Sequence, residues 1–272
     1  MLRAWQDVIC KWRLASDEVP DEASDAQRRF HTARSALLRG QLDEALTGFE
    51  RAAELREHPH DQVGIGDVHL ARGRWQLAAE CYRRALDADG ADLLALLGMS
   101  QVWVAQGDAA RAVPDLERLL AERPDDPVVR YYLASTWCSV AEQCRSQTAD
   151  EVLVITSEHQ LRICDRAARR ILSLGVDDDE LVRGARRLAA EVAASRRWSW
   201  APEGIAVSLA VLVMSLGLTM VVAGGALNSV GLVVSGVVLG GAMLLLIVLR
   251  FRRQAWQQRA ESMAPSIAKP GV

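Results

Sequence analysis

From Gly204 to Leu249 the sequence runs for 46 residues without one Asp, Glu, Lys, Arg or His. A helical crossing of a bilayer's hydrocarbon core takes roughly 20 residues. The run is too long for one crossing and suits two. Its one turn-like stretch is Gly224-Gly225-Ala226-Leu227-Asn228-Ser229, with paired glycines and an Asn near the midpoint. The expectation is a transmembrane hairpin over 203–250, with spans of about 204–225 and 230–250. The alternative is a buried core hairpin of a soluble protein, but helices apolar on every side belong to membranes or very large cores.

The flanks set its direction. Arg186, Arg187, Arg196 and Arg197 precede it, Arg250, Arg252, Arg253 and Arg259 follow it, and the turn is uncharged. Positive residues stay on the cytoplasmic side, so both termini are expected there, with 251–272 as a basic tail. Trp198, Trp200 and Trp256 stand where amphipathic rings suit the headgroup layer. Of 32 basic residues only Lys11 and Lys269 are lysine, and alanine is abundant, a bias of high-GC bacterial genomes. The expected location is the bacterial inner (plasma) membrane, with two spans. A net charge of −3 and the lack of a basic, aromatic-studded stripe point away from nucleic acid. Five cysteines without a CxxC, at apolar helical positions, read as reduced core thiols. Residues 1–13 lack the long apolar core of a secretory signal.

In the N-terminal segment 1–15, Leu2, Trp5, Val8, Ile9 and Trp12 share one helical face. It reads either as a helix packed on the helical region downstream or as an interfacial or partner-binding helix. Residues 16–25, with Pro20 and several acids, read as a linker, and Ser24 or Asp25 caps the next helix. The chain then repeats. Gly40, Gly73 and Gly107 are 33 and 34 residues apart, each followed five later by Ala45, Ala78 or Ala112 and nine later by Phe49, Tyr82 or Leu116. Twelve on stand Ala52, Ala85 and Leu119, and seven before the glycines Ala33, Gly66 and Ser100. In that register the segment resembles the tetratricopeptide repeat family, whose unit is two antiparallel helices recurring at about 34 residues. The resemblance implies an all-α fold: a helical solenoid over 26–176, with clear copies at 26–59, 60–92 and 93–126, then the two-helix transmembrane hairpin. One unit cannot bury its own apolar face, so at least three must stack.

The fourth copy is degenerate. Leu133, Ala134 and Trp137 are in register, but Ala141 stands where the turn glycine belongs, and an insertion comes after it at 146–156. Its apolar Val152-Leu153-Val154-Ile155 is either a buried plug or a docking strand. Ser157 and Gln160 resemble a capping box opening a helix that Gly175 ends. Asp177 to Glu180 suits the start of a capping and juxtamembrane helix over 177–200, running to about Trp198.

Catalysis finds little support. His58 and His60 flank Pro59 at a step unsuited to metal ligation, and no nucleophile elbow, phosphate loop or His-Glu-x-x-His occurs. The expectation is no enzyme, no metal and no cofactor. In the resembled family the first helix of each pair lines a groove for partner segments. Carried over by alignment, that lining is Phe30, His31 and Arg34; Val63, Asp67 and Leu70; Leu94, Leu97 and Gln101; Tyr131, Tyr132 and Ser135. Members that clamp C-terminal carboxylates use Lys, Arg and Asn at positions held here by Phe30, Arg34, Gly64, Leu94 and Gly98, so only Arg34 fits that ligand. An apolar peptide or amphipathic helix suits the lining better. The expected function is a membrane-anchored scaffold that binds a protein partner. The alternative is a membrane effector whose hairpin oligomerises through Gly231, Gly236 and Gly240, although pairing with the first span explains those glycines equally well.

Overall fold

The computed structural model describes residues 8–14, 24–200 and 203–271. Leu2, Trp5 and most of the acidic linker lie outside them. The chain forms two compact units, Met1–Cys144 with Ile163–Ala189, and Arg145–Arg162 with Ala190–Val272.

The first unit is built from helix pairs: α1 (Asp25–Leu38) with α2 (Leu42–Leu55), α3 (Pro59–Ala71) with α4 (Trp75–Ala88), and α5 (Leu93–Ala105) with α6 (Ala109–Glu122). Ser24 opens α1 with a reciprocal capping box: its Oγ accepts from Gln27 N–H at 3.2 Å, and its own N–H donates to Gln27 Oε1 at 2.8 Å. The turn glycines Gly40, Gly73 and Gly107 have φ of 78°, 71° and 85°, a region in which a Cβ is strained. Each lets the chain reverse in a few residues. The fourth pair lacks that glycine, and α7 (Pro127–Cys144), 18 residues long, runs on past Ala141 to Cys144. Two short strands then precede α8 (Glu158–Leu174) and α9 (Asp179–Ser195).

Small residues and aromatic wedges set the stacking. Phe49 and Tyr82 are fully buried, each burial stabilising the fold by about 1.5–3 kcal/mol. A Cβ on Gly64 would lie 2.5 Å from the Phe49 ring, and one on Gly66 2.7 Å from the Tyr82 ring. Each wedge thus occupies space that the absence of a side chain creates. At the far end Gly175, at φ 60°, ends α8, and Asp178 caps α9 by accepting from Leu181 N–H at 2.8 Å. Cys144 and Cys164 are buried thiols whose sulfurs lie 3.8 Å apart.

The second unit adds strands to an otherwise helical chain, which the all-helical expectation did not contain. β1 (Ser146–Thr148) and β2 (Leu153–Val154) pair antiparallel, and β5 (Ile267–Lys269) joins the other side of β1. Val154 and Ile155 are buried there, the plug arrangement, while Val152 is exposed. Ser157 Oγ accepts from Gln160 N–H at 3.1 Å, but the Gln160 side chain accepts from Thr156 N–H, so the expected box is half formed.

Helices α10 (Glu203–Ala226) and α11 (Val230–Phe251) form the hairpin, with Asn228 in the left-handed region at φ 52°. β3 (Trp198–Trp200) pairs antiparallel with β4 (Arg252–Gln254), tying the hairpin's two ends together. α9 therefore ends at Ser195, short of the expected Trp198. After β4 comes α12 (Ala255–Met263), so the basic tail is structured. Gly236 and Gly240 face Gly217 of α10: a Cβ on Gly236 would lie 3.0 Å from the Gly217 carbonyl oxygen. Of the glycines put forward for oligomerisation, these two pair the hairpin's own helices; Gly231 alone has open space.

Candidate functional site: the inner face of the repeats

The first helices of the pairs, α1, α3, α5 and α7, carry all twelve residues assigned to the groove. They do not form an open surface. Phe30, Arg34, Val63, Asp67, Leu94, Leu97, Gln101, Tyr132 and Ser135 are buried, and only His31, Leu70 and Tyr131 are half-buried. Tyr132 is wholly enclosed and cannot serve as an anchor that a partner reaches. Arg34, the one side chain suited to a carboxylate ligand, is 4% exposed.

The chain's own N-terminal segment covers part of this face. Residues Lys11–Leu14 form a single 3₁₀ turn packed against α5 and α7. Trp12 stacks on Phe49 with ring centroids 6.4 Å apart and meets Phe30 edge-on at 5.9 Å. Its indole Nε1 donates to Asp67 Oδ2 at 2.7 Å. The other carboxylate oxygen accepts from the Tyr82 hydroxyl at 2.5 Å and receives Lys11 Nζ at 2.6 Å. Lys11 also lies over the Tyr82 ring, 4.6 Å from its centroid. Asp67 is thus a fully buried carboxylate facing an ammonium, an indole and a phenol, and all three come from elsewhere in the sequence.

Burial governs the electrostatics. Desolvation pulls the Lys11 ammonium below its ordinary pKa, against the pull of Asp67. Burial likewise pushes the Asp67 carboxyl up, against Lys11, Tyr82 and Trp12. The Tyr82 hydroxyl is pushed well above its ordinary value by burial and by the Asp67 charge. A second polar cluster lies alongside. Arg56 clamps Asp61 through Nε and Nη2, both at 2.9 Å, and His60 Nε2 meets Asp92 Oδ2 at 2.9 Å. Burial raises Asp92, but the bonds from His60 and from Ala95 N–H outweigh it and hold its pKa down. His58 accepts from His60 N–H as the cap of α3, so the histidine pair has a structural use.

A cleft of ≈ 750 Å³ continues beside the segment, lined by Ile9, Arg13, Tyr131 and Asp177 among others. Sequence reasoning placed Asp67 on this face and missed what meets it. The available signal was an acid set within the apolar run Val63–Val68 of α3, together with one of the chain's two lysines beside a tryptophan.

Stacked helix pairs with glycine turns define a helical repeat solenoid. The tetratricopeptide repeat profile matches residues 63–134. Photosystem I assembly protein Ycf3 of Cyanophora paradoxa is 30% identical over 118 residues, 42% of this chain and 67% of that protein. A solved TPR repeats protein from Bacteroides fragilis is 12% identical, with a TM-score of 0.36 over 89% of this chain and 93% of that one. The chain belongs to the tetratricopeptide repeat family, whose members mediate protein–protein interaction and assembly.

Proposed function

We propose that this chain is a membrane-anchored adaptor. Helices α10 and α11 cross the bacterial inner membrane, both termini are cytoplasmic, and the solenoid over 26–176 holds a segment of a partner protein at that surface. The observation that carries the reading is the hairpin's exposure. Only 11% of each helix's apolar window is buried, and Leu218 and Leu249 are 65% and 70% exposed. Each such side chain left in water forgoes about 1.5–3 kcal/mol, whereas hydrocarbon accepts them all. The name of the Cyanophora relative adds support for a role in assembly.

Two measurements on intact cells test this. A Ser229→Cys chain should react with a membrane-impermeant thiol reagent from outside, while Ser262→Cys should not. Ser229 is the safer site, because its neighbour Asn228 sits at φ 52°. A photo-crosslinker in place of Tyr131 should trap a partner protein. Release of the chain from membranes by alkaline carbonate would sink the anchor, and the absence of any crosslinked protein would sink the adaptor.

A further inference from the structure

The N-terminal segment contributes Trp12 to the core of the repeats, but its polar contacts converge on the solenoid as those of a ligand do. Its described residues 8–14 are a short helical stretch, α-helical at 8–10 and 3₁₀ over Lys11–Leu14, and it reaches the solenoid through side chains directed at one carboxylate. Residues 15–23 alone separate it in sequence from Ser24, the cap of the first repeat helix. It also fits imperfectly. Lys11 Nζ has its partner in Asp67, at 2.6 Å, but Gln101 Nε2 is buried without an acceptor. Gln101 stands one helical turn from Gly98, where an added Cβ would meet Lys11 Nζ at 2.7 Å. A buried donor of this kind weakens the complex that leaves it unpaired.

We propose that residues 8–14 are a built-in competitor for the groove, and that the partner segment which displaces them presents the same pair, an amine next to an aromatic ring, to Asp67. A partner that also brings an acceptor to Gln101 Nε2 binds better than the tethered segment does. The identity of the groove as a partner site rests on the adaptor reading. The competition itself does not, because the chain supplies its own probe.

The tether sets the size of the effect. A segment joined through a short linker competes at an effective concentration on the order of 1 mM, so a segment with an intrinsic Kd of about 10 μM weakens any competing ligand about 100-fold. The probe is a fluorescent peptide of residues 1–14, titrated against the full chain in detergent micelles. The unaltered chain should bind it weakly. A chain carrying Lys11→Ala and Trp12→Ala should bind about 100-fold more tightly, and adding Asp67→Asn should remove that gain. A peptide with alanine at both positions should not bind. Equal, weak binding by the unaltered and doubly substituted chains, with helicity retained, would overturn the proposal.

Should the doubly substituted chain fail to fold, a second variant decides. A protease site replacing residues 17–22 leaves Lys11, Trp12 and Asp67 in place. After cleavage, the labelled peptide should exchange with the released segment within hours. No exchange over a day would mark the segment as a fixed part of the core and overturn the proposal. Neither outcome depends on whether the Tyr131 crosslinker finds a partner, so the two readings fail separately.

Discussion

Lys11 Nζ lies 2.6 Å from Asp67 Oδ1, 56 residues apart in sequence, with both side chains withdrawn from water. Taking two charges out of water costs several kcal/mol per ion, which their attraction offsets only with support from further partners. Asp67 has that support in Trp12 Nε1 and the Tyr82 hydroxyl. Lys11 has the Tyr82 ring beneath it. The pair therefore fixes how the segment sits on this face, because Lys11 and its neighbour Trp12 meet the two oxygens of one carboxylate.

Breaking one side of that pair should be costly. Removing one partner of a buried ion pair typically costs about 3–5 kcal/mol, limited here by the whole docking strength of the segment, since Lys11 can leave with it. Asp67→Asn and Lys11→Met should each lower stability to chemical denaturation, and the double substitution should lose much less than the sum. In Asp67→Asn, trypsin should cleave after Lys11, which is 1% exposed in the native chain. Additive losses with Lys11 still resistant would show that the two charges are not coupled.

The repeats were legible because their signal is local: glycine, alanine and aromatic residues recur at one spacing, and each reports a turn or a close approach within one unit. The hairpin was legible from composition alone. The occupied groove was not, because what closes it comes from a segment that carries no repeat pattern. Alignment identifies positions such as Tyr132 and Leu97 that face inward, but cannot say whether they meet solvent, a neighbouring helix or another part of the chain. The short strands were missed for the same reason. β3 and β4 are three residues each, and only their pairing across the hairpin's ends makes them strands.

Glycine substitutions separate close packing from backbone strain. Gly64→Ala and Gly66→Ala place a Cβ against the Phe49 and Tyr82 rings and should lose about 1–3 kcal/mol by overpacking. Gly73→Ala meets nothing within 4 Å, but its φ of 71° is strained, so a loss of about 1–2 kcal/mol is expected. Gly184, inside α9 with open space around it, should gain about 0.5–1 kcal/mol on change to Ala. Thermal unfolding of the four variants tests the order. A gain at Gly64 would refute the wedge at that repeat.

Stability should fall as pH drops from about 7.5 to 5.5. Three histidines are held below their ordinary value of 6.5 by burial: His31, with help from Arg56; His58, from His60 and Arg56 against Asp61 and Asp92; and His69, from Arg74 and Arg72 against Glu50. Below 6.5 the unfolded chain takes up protons that the folded chain still refuses, so protonation favours unfolding. Replacing His31 and His69 by Gln and His58 by Asn, which keeps an acceptor at the α3 cap, should flatten the slope. Denaturant midpoints against pH give the test, and an unchanged slope would assign the dependence to other groups.

The hairpin's own contact gives the last test. Gly236 lies so close to α10 that a Cβ would stand 3.0 Å from the Gly217 carbonyl oxygen and from Met220 Cβ, and 3.1 Å from Val221 Cγ2. Glycines at such a crossing let backbones approach and gain van der Waals contact, the main attraction available to helices in lipid. Gly236→Leu should force α10 and α11 apart. Gly231 and Gly241 have nothing within 4 Å of an added Cβ, so leucine at either should leave the pair intact. The readout is a disulfide between Gly217→Cys and Gly240→Cys, whose added Cβ positions each come within 3.7 Å of the other glycine's Cα. It should form within one chain, survive Gly241→Leu, and fall several-fold with Gly236→Leu. Cross-linking mainly between chains, abolished by Gly231→Leu or Gly241→Leu, would show instead that the glycines outside the crossing join one hairpin to the next, and would restore the oligomeric membrane effector as the better account.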